Sequence, residues 1–393
     1  MLTNKKILLG VSSSVAIYKA LELIRLLKKQ GADVQVMMTL NATKLISPQL
    51  FQAISGHPVQ VELFAAHGHD SMPHLISSQQ VDLMLLAPAT ANLIGKLAIG
   101  LADDLISTAF LATKAPVLLA PAMNDQMYQH PIVQENIAKL RLIGVTVVEP
   151  GLGFLACGSY GWGHLANLET ILLYAKKLLT IQDLKGKKVL ISAGRTVESI
   201  DPVRILTNRS SGKMGLAFAK TAFLRGAKVI VISGAVEIKY PEVPNLEVFF
   251  VESTQEMNVA ILKYFPKTDM FISAAAVCDY APVQTLLSKH KKSKNKGMIW
   301  NLFLKENPNI LGKVLQKKKS GQKIVAFALE TDEVFKNAKK KFMSSGIDYL
   351  VANEPGVIGQ EQGQFIIFEK NHNEIVFLDK FALSSLIFDR LGV

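Results

Sequence analysis

Cysteine is nearly absent from this 393-residue chain: Cys157 and Cys278 are the only two, too few for a disulfide framework, so a reducing, cytoplasmic setting is expected. No apolar run approaches the roughly 20 residues a membrane span requires, because Pro, Asp or Lys interrupts each one. The first ten residues lack the long apolar stretch of a secretory signal. Neither a GxGxxG fingerprint nor a Walker loop is present, which removes the commonest dinucleotide and nucleoside-triphosphate signatures. What is abundant is apolar residue, 49% against 19% charged, enough for a large core and for two domains.

Charge is unevenly placed. Residues 1–180 hold 13 Lys+Arg against 11 Asp+Glu, leaving 31 against 21 for residues 181–393, and the net charge is +12. Between Lys289 and Lys323 eleven lysines face one acid, Glu306. Such a run is either a solvated face or a receptor for a polyanion, phosphates or nucleic acid.

The order of elements is legible from apolar patterning. "KKILLG" reads as a strand, "VSSS" as a polar turn, Val15 to Gln30 as a helix and "ADVQVMMT" as a second strand, a βαβ unit; "VDLMLLAPAT", "APVLLAPAM" and "VTVVEP" continue a parallel sheet. After "ETILLYAKKLLT" and "IQDLKGK" the pattern restarts at "KKVLISAG" and runs through "KVIVISG", "LEVFFVES", "DMFISAAAV", "QKIVAFALE" and "IDYLVANE". The closing "GQFIIFEKNHNEIVFLD" predicts a hairpin turned at "KNHN", followed by a helix. The expectation is an α/β protein of two tandem parallel-sheet domains, flavodoxin-like over 1–182 and Rossmann-like over 183–393.

Ligands of open α/β sheets settle at the carboxyl ends of the strands, where small-residue loops expose N–H groups and helix N-termini. In the first half "GVSSSVAIYK" stands at such a place: Ser12, Ser13 and Ser14 could meet a phosphate, as could Thr39 after the second strand, although serine before a helix also serves simply as a cap. His74 in "SMPHLISS", Asn124 in "PAMNDQMY" and Cys157 in "GLGFLACGSYGWG" are each ordinary alone; a cysteine among five glycines, however, fits a mobile flap able to enter a site.

These stretches carry a resemblance. "GVSSSVAIYK", "PHLISS", "APATANLIGKLAIGLADDL" and above all "PAMNDQMY" resemble the flavin-containing cysteine decarboxylases, whose signature is Pro-x-Met-Asn-x-x-Met followed by an aromatic residue, and "ACGSYGWG" resembles the cysteine flap of the branch acting on phosphopantothenoylcysteine. The resemblance implies FMN, its phosphate at Ser12, Ser13 and Thr39 and its ring near Ala89, Thr90, Asn92 and Ala122. It gives His74 the substrate thiol, Asn124 the substrate carboxylate, and Cys157 the return of a proton as reduced flavin hands its electrons back. A neutral amide suits this task, because an ion pair would stabilise the carboxylate against leaving as carbon dioxide. Met123, Met127 and Tyr128 are expected as apolar walls. One departure is plain: where the family flap ends Gly-x-Gly-Arg, this chain has "GWGHL", with His164 at the arginine position.

In the second half "DPVRILTNRSSGKMG" leads polar residues into a helix, a phosphate-loop pattern without Walker spacing. It is similar to the Asn-x-Ser-Ser-Gly-Lys-Met-Gly motif of phosphopantothenate-cysteine ligases, and "AAAVCDY", "KHKK", "FALET" and "VANE" resemble further motifs of that family. The resemblance implies CTP with magnesium, phosphopantothenate and L-cysteine as substrates. It places Lys289 and Lys341 on the triphosphate, Asp279 on nucleotide or metal, and Asn307, Pro308 and Phe327 along the nucleotide, with Asn208 on the activated carbonyl as an oxyanion donor. No metal ligand set is assigned. Departures occur at Arg195, Val197, Ser199, Glu306, Asn309 and Ser345.

The two halves in this order are similar to fused bacterial enzymes of coenzyme A synthesis, a family whose flavin sites form in trimers, often assembled into dodecamers. A homo-oligomer without membrane or nucleic-acid partners is therefore expected. Two rivals are a CTP-binding but inactive second half, and a basic nucleic-acid-binding protein; the latter has no recognised module to support it.

Overall fold

The computed structural model describes residues 2–63, 80–154, 158, 160–291, 299–370 and 372–392. The chain divides into two compact units, Met1–Ile181 and Gln182–Val393.

In the first unit, strands β1 (Lys6–Val11), β2 (Asp33–Met38), β3 (Leu83–Ala89), β4 (Val117–Pro121) and β5 (Thr146–Val147) form one parallel sheet in the order β2-β1-β3-β4-β5. Alternate residues of β1 enter different cores, Ile7 and Leu9 on one face and Leu8 on the other, because helices cover both faces. Tyr18–Lys29 (α1) shows why a helix forms there: Ala20, Leu23, Ile24 and Leu27 make one buried stripe, and Lys28 and Lys29 sit at the negative end of the dipole. Among the described residues the other α-helices of this unit are α2 (Leu40–Thr43), α3 (Pro48–Ser55), α4 (Ala91–Ile99), α5 (Leu105–Ala112), α6 (Asp125–Gln129), α7 (Pro131–Leu142) and α8 (Leu168–Leu178).

The glycine-rich segment is not a featureless flap. Its described residues form an antiparallel ribbon, β6 (Gly151–Phe154) against β7 (Tyr160–His164), with Phe154 and Tyr160 edge to face at 5.1 Å.

In the second unit, β8 (Lys188–Ala193), β11 (Lys228–Ser233), β12 (Leu246–Phe250), β13 (Met270–Ser273), β16 (Lys323–Leu329), β17 (Tyr349–Asn353), β18 (Gln362–Glu369) and β19 (His372–Asp379) form one sheet. Its order is β12-β11-β8-β13-β16-β17-β18-β19, parallel through β17 and antiparallel thereafter. The expected closing hairpin is present, its innermost described pair being Glu369 and His372. Two small antiparallel pairs, β9 (Val197–Ser199) with β10 (Ile205–Thr207) and β14 (Tyr280–Pro282) with β15 (Leu304–Glu306), project from the loops. Helices α9 (Lys213–Leu224), α10 (Thr254–Tyr264), α11 (Ile310–Gln316), α12 (Val334–Ser345) and α13 (Lys380–Arg390) flank the sheet. At Gly215 of α9 an added Cβ would lie 2.3 Å from the Ala193 Cβ, so only glycine lets this helix start so close to β8.

Both sheets reverse their strand order beside their first strand, between β1 and β3 and between β8 and β13, and adjacent loops part there.

Candidate active sites

At the first switch point lies a cavity of about 660 Å³, walled by the loops after β1, β3 and β4 and by β7. Among the described residues its lining contains Lys19 and no acid.

Ser12 is not at the surface of this cavity. It is buried, its hydroxyl donates to the Pro88 carbonyl at 2.7 Å and accepts from the Thr90 N–H at 2.9 Å. Its one proton ties the first loop to the third, and Ser13 and Ser14 line the cavity instead. Ser14 also caps the turn that leads into α1, accepting from the Ala16 N–H at 3.3 Å. Thr39 caps α2 by accepting from the Ala42 N–H at 3.2 Å, and its own N–H donates to the Val11 carbonyl at 3.0 Å; it shares the sheet edge with Ser12 but does not line the cavity. Ala89 is fully buried, its carbonyl accepting from the Ala122 N–H at 3.0 Å, whereas Thr90, Asn92 and Ala122 line the cavity.

Asn124 also lines it. As the cap of α6 its Oδ1 accepts from the N–H groups of Gln126 at 2.9 Å and Met127 at 3.4 Å, a cap worth about 1 kcal/mol. The cap fixes the amide's orientation, with oxygen toward the helix. Met123 and Met127 line the cavity as expected, but Tyr128 does not: its hydroxyl donates to Glu149 at 2.5 Å, and burial followed by that carboxylate pushes its ionisation well above the ordinary range. A carboxylate outside the cavity attracts the polar end of the ring.

The ribbon is bound to this loop. The Met123 N–H donates to the Gly163 carbonyl at 3.0 Å. Gly163 has φ of +141°, and a Cβ there would stand 2.2 Å from the Met123 carbonyl oxygen, so no other residue fits without displacement. The next residue, His164, meets Lys19: Nζ lies 3.1 Å from Nε2, while Nδ1 lies 3.0 Å from the Leu165 carbonyl. Lys19 escaped the sequence reading. Its signal was a cation in the first turn of a helix, against the dipole. His74 and Cys157 lie outside the described residues.

At the second switch point three loops are pinned together. Asn208 Nδ2 donates to the Val277 carbonyl at 2.8 Å, and Arg195 Nη1 to the Ser210 carbonyl at 2.7 Å. Asn307 Nδ2 donates to Glu198 at 3.1 Å and to the Cys278 carbonyl at 2.9 Å, and its N–H to the Asp279 carbonyl at 2.8 Å. Buried Glu198 also accepts from the Thr254 N–H at 2.9 Å. Asn208, Asp279 and Asn307 thus share one cluster, with Pro308 next in the chain. The sequence reading missed Glu198 and the Arg195 tie; a charged residue beside a small-residue turn was the only trace. Lys289 is exposed beyond β14, Phe327 lies on β16 with its ring 5.6 Å from that of Phe218, and Lys341 is exposed on α12; among the described residues no side-chain hydrogen bond joins these three to the cluster.

Asp201 organises the approach to Lys289. Burial opposes its ionisation, but N–H donors from Val203, Arg204 and His290 together with the Arg204 guanidinium outweigh it and hold the carboxyl at about 2. Arg204 also donates to the His290 carbonyl at 2.9 Å, and the His290 ring stacks on Trp300 at 4.2 Å.

Residues 1–180 match the family described as "Flavoprotein", and residues 184–392 that described as "DNA/pantothenate metabolism flavoprotein C-terminal domain". A flavoprotein half joined to a pantothenate-metabolism half defines the class. The chain belongs to the family of coenzyme A biosynthesis bifunctional proteins: it is 41% identical to the CoaBC protein of Bacillus subtilis (strain 168), covering 100% of this chain and 98% of that one. It is 39% identical to that of Escherichia coli (strain K12) over 90% of this chain and 87% of the other. Among solved structures, the C-terminal domain of a coenzyme A biosynthesis bifunctional protein CoaBC is 31% identical, with 53% of this chain and 96% of that one covered and a TM-score of 0.44.

Proposed function

We propose that the protein carries out two consecutive steps of coenzyme A biosynthesis. The second unit joins 4′-phosphopantothenate to L-cysteine with CTP, and the first, FMN-dependent unit decarboxylates the resulting 4′-phosphopantothenoylcysteine to 4′-phosphopantetheine. The observation that carries the reading is the first unit's cavity, which is free of acids among its described residues and presents two neutral amides, Asn92 and the cap-oriented Asn124.

That lining suits FMN: Ser13, Ser14 and Thr90 bring hydroxyl groups near helix N-termini for a phosphate, and Ala122 and Met123 offer apolar surface to a ring. FMN, when bound, would supply a two-electron oxidant for the cysteinyl thiol and the same two electrons on return. Asn124 would orient the substrate carboxylate through Nδ2 without a compensating charge, so that neutral carbon dioxide can depart. Met123 and Met127 exclude water from the bond that breaks. His74 would take or direct the thiol proton, and the Cys157 thiol, with an ordinary pKa near ~8.5, holds at neutral pH the proton that the final enethiol needs.

In the second unit the phosphopantothenate carboxylate would attack the α-phosphorus of CTP, releasing pyrophosphate. The cysteine amine then attacks the acyl carbon, releases CMP and loses a proton. Lys289 and Lys341 would neutralise triphosphate charge, Asn307, Pro308 and Phe327 would line the nucleotide, and Asn208 would donate to the developing oxyanion. Asp279 would contact the nucleotide or its Mg²⁺, whose charge would offset that of the triphosphate. Two of the family departures make local ties: Arg195 donates to the Ser210 carbonyl, and Asn309 caps α11 by accepting from the Gly312 N–H at 2.8 Å.

The test is to supply phosphopantothenate, cysteine, CTP and Mg²⁺ to the purified chain and follow CMP, pyrophosphate and phosphopantetheine, with the heat-released chromophore identified by mass. Stoichiometric CTP binding without pyrophosphate would leave only the decarboxylase. Absence of FMN at near one-to-one ratio, with no binding on add-back, would remove the decarboxylase.

A further inference from the structure

Lys19 stands where a lysine is electrostatically out of place. It is the second residue of α1, near the positive end of a twelve-residue helix, and it is half-buried in the cavity wall. Burial pushes its ammonium down from its ordinary pKa, with Glu22, one turn on, pulling the other way. Among the described residues no carboxylate forms an ion pair with it; its Nζ meets the His164 imidazole instead, 3.1 Å from Nε2. Nζ also lies 3.5 Å from Nδ1, so the ammonium rests over the imidazole face, while the Nδ1 edge of the ring is turned to the Leu165 carbonyl at 3.0 Å. An arginine at position 164 would instead set two permanent cations side by side.

An ammonium group without a paired acid, on a wall whose described residues include none, is a built receptor for an anion. We propose that Lys19, positioned by His164, anchors the phosphate monoester of a ligand bound in the first unit's cavity. The inference rests on the proposed decarboxylase reading, which supplies two phosphate monoesters: that of the flavin and that of the acyl-cysteine substrate. Ser13 and Ser14 lie in the same wall and complete the donor set. With its three donors, Lys19 can keep the His164 contact and still give two to phosphate oxygens.

The experiment compares each ligand with its dephosphorylated twin. Full-length wild type and Lys19→Met, stripped of flavin, are titrated with FMN and with riboflavin by flavin fluorescence. The reconstituted proteins are then assayed for KM with 4′-phosphopantothenoylcysteine and with pantothenoylcysteine. A charge-assisted contact predicts a loss of roughly 10- to 100-fold confined to the phosphorylated member of one pair. Loss on FMN alone assigns the flavin phosphate, and loss on the phosphorylated substrate alone assigns the substrate. Lys19→Arg should restore most of that discrimination, and His164→Leu, which removes the ring beneath the ammonium, should weaken it while His164→Phe, which keeps a ring face, should not. Equal losses on both members of a pair, or no loss at all, overturn the proposal. Should Lys19→Met fail to fold, Lys19→Gln is judged by the same criteria. A wild-type chain that binds neither flavin and converts neither substrate would instead sink the decarboxylase reading.

Discussion

The two sites occupy equivalent places, each at the strand-order reversal of a parallel sheet, yet they are built from opposite materials. The first is a walled cavity of about 660 Å³ with methionines, a capped amide and one lysine. The second is a cluster of hydrogen-bonded loops beside a lysine-rich stretch, with Lys289 and Lys341 exposed. The reactions proposed for them differ in the same way. Loss of carbon dioxide moves charge off a carboxylate and is helped by low polarity, whereas attack on a triphosphate concentrates negative charge and needs cations. The fold supplies a location; the loops supply the dielectric.

That contrast can be broken most severely at Asn124. Asn124→Asp preserves the helix cap but repels the substrate carboxylate, so decarboxylation should fall by about 10²–10³ while FMN content and pyrophosphate release stay unchanged. Retained decarboxylation would mean that neutrality is not what the site uses. The converse change, Lys289→Met, should raise KM for CTP by roughly 10- to 100-fold and leave turnover of supplied phosphopantothenoylcysteine intact. Gly163→Ala sharpens the comparison through the backbone. With φ of +141° and the Met123 carbonyl in the way, it should cost the first unit ~1–3 kcal/mol, read as a lower thermal midpoint and weaker FMN retention, with CTP-dependent ligation unaffected.

The smallest effect belongs to Asp201. Its carboxyl is held at about 2 in the folded chain against an ordinary 3.8, so its contribution is present above the ordinary value and is lost as pH falls toward the folded one. Asp201→Asn should therefore lower the thermal midpoint of the second unit near neutrality. The gap from wild type should narrow between about pH 4 and pH 2; a gap that persists at pH 2 would show that ionisation of Asp201 is not its source.

Much of this was readable from the chain alone. The central strands of both sheets announced themselves as apolar runs such as "KKILLG" and "KKVLISAG", because a strand covered on both faces must be apolar along its length. The Asn124 loop was legible as a motif. The ribbon was not, since "GLGFLACGSYGWG" has too many glycines to show period-two alternation, and its pairing is decided by where Gly163 meets Met123. The hydroxyl partners of Tyr128 and Ser12 were not legible for a common reason: a residue's position after a strand does not reveal where its polar atom is already engaged.

The sequence by itself determined which segments are strands and helices, where the pattern restarts, and which residue types crowd the carboxyl ends, since all of these follow from local periodicity and spacing. Only the tertiary structure decided which of those groups face the cavity. Ser12 is withdrawn by Pro88 and Thr90, 76 and 78 residues away, and Lys19 is presented by His164, 145 residues away. A hydrogen bond commits a donor to one partner, and that partner is chosen by the packing of distant loops, which local patterning does not encode.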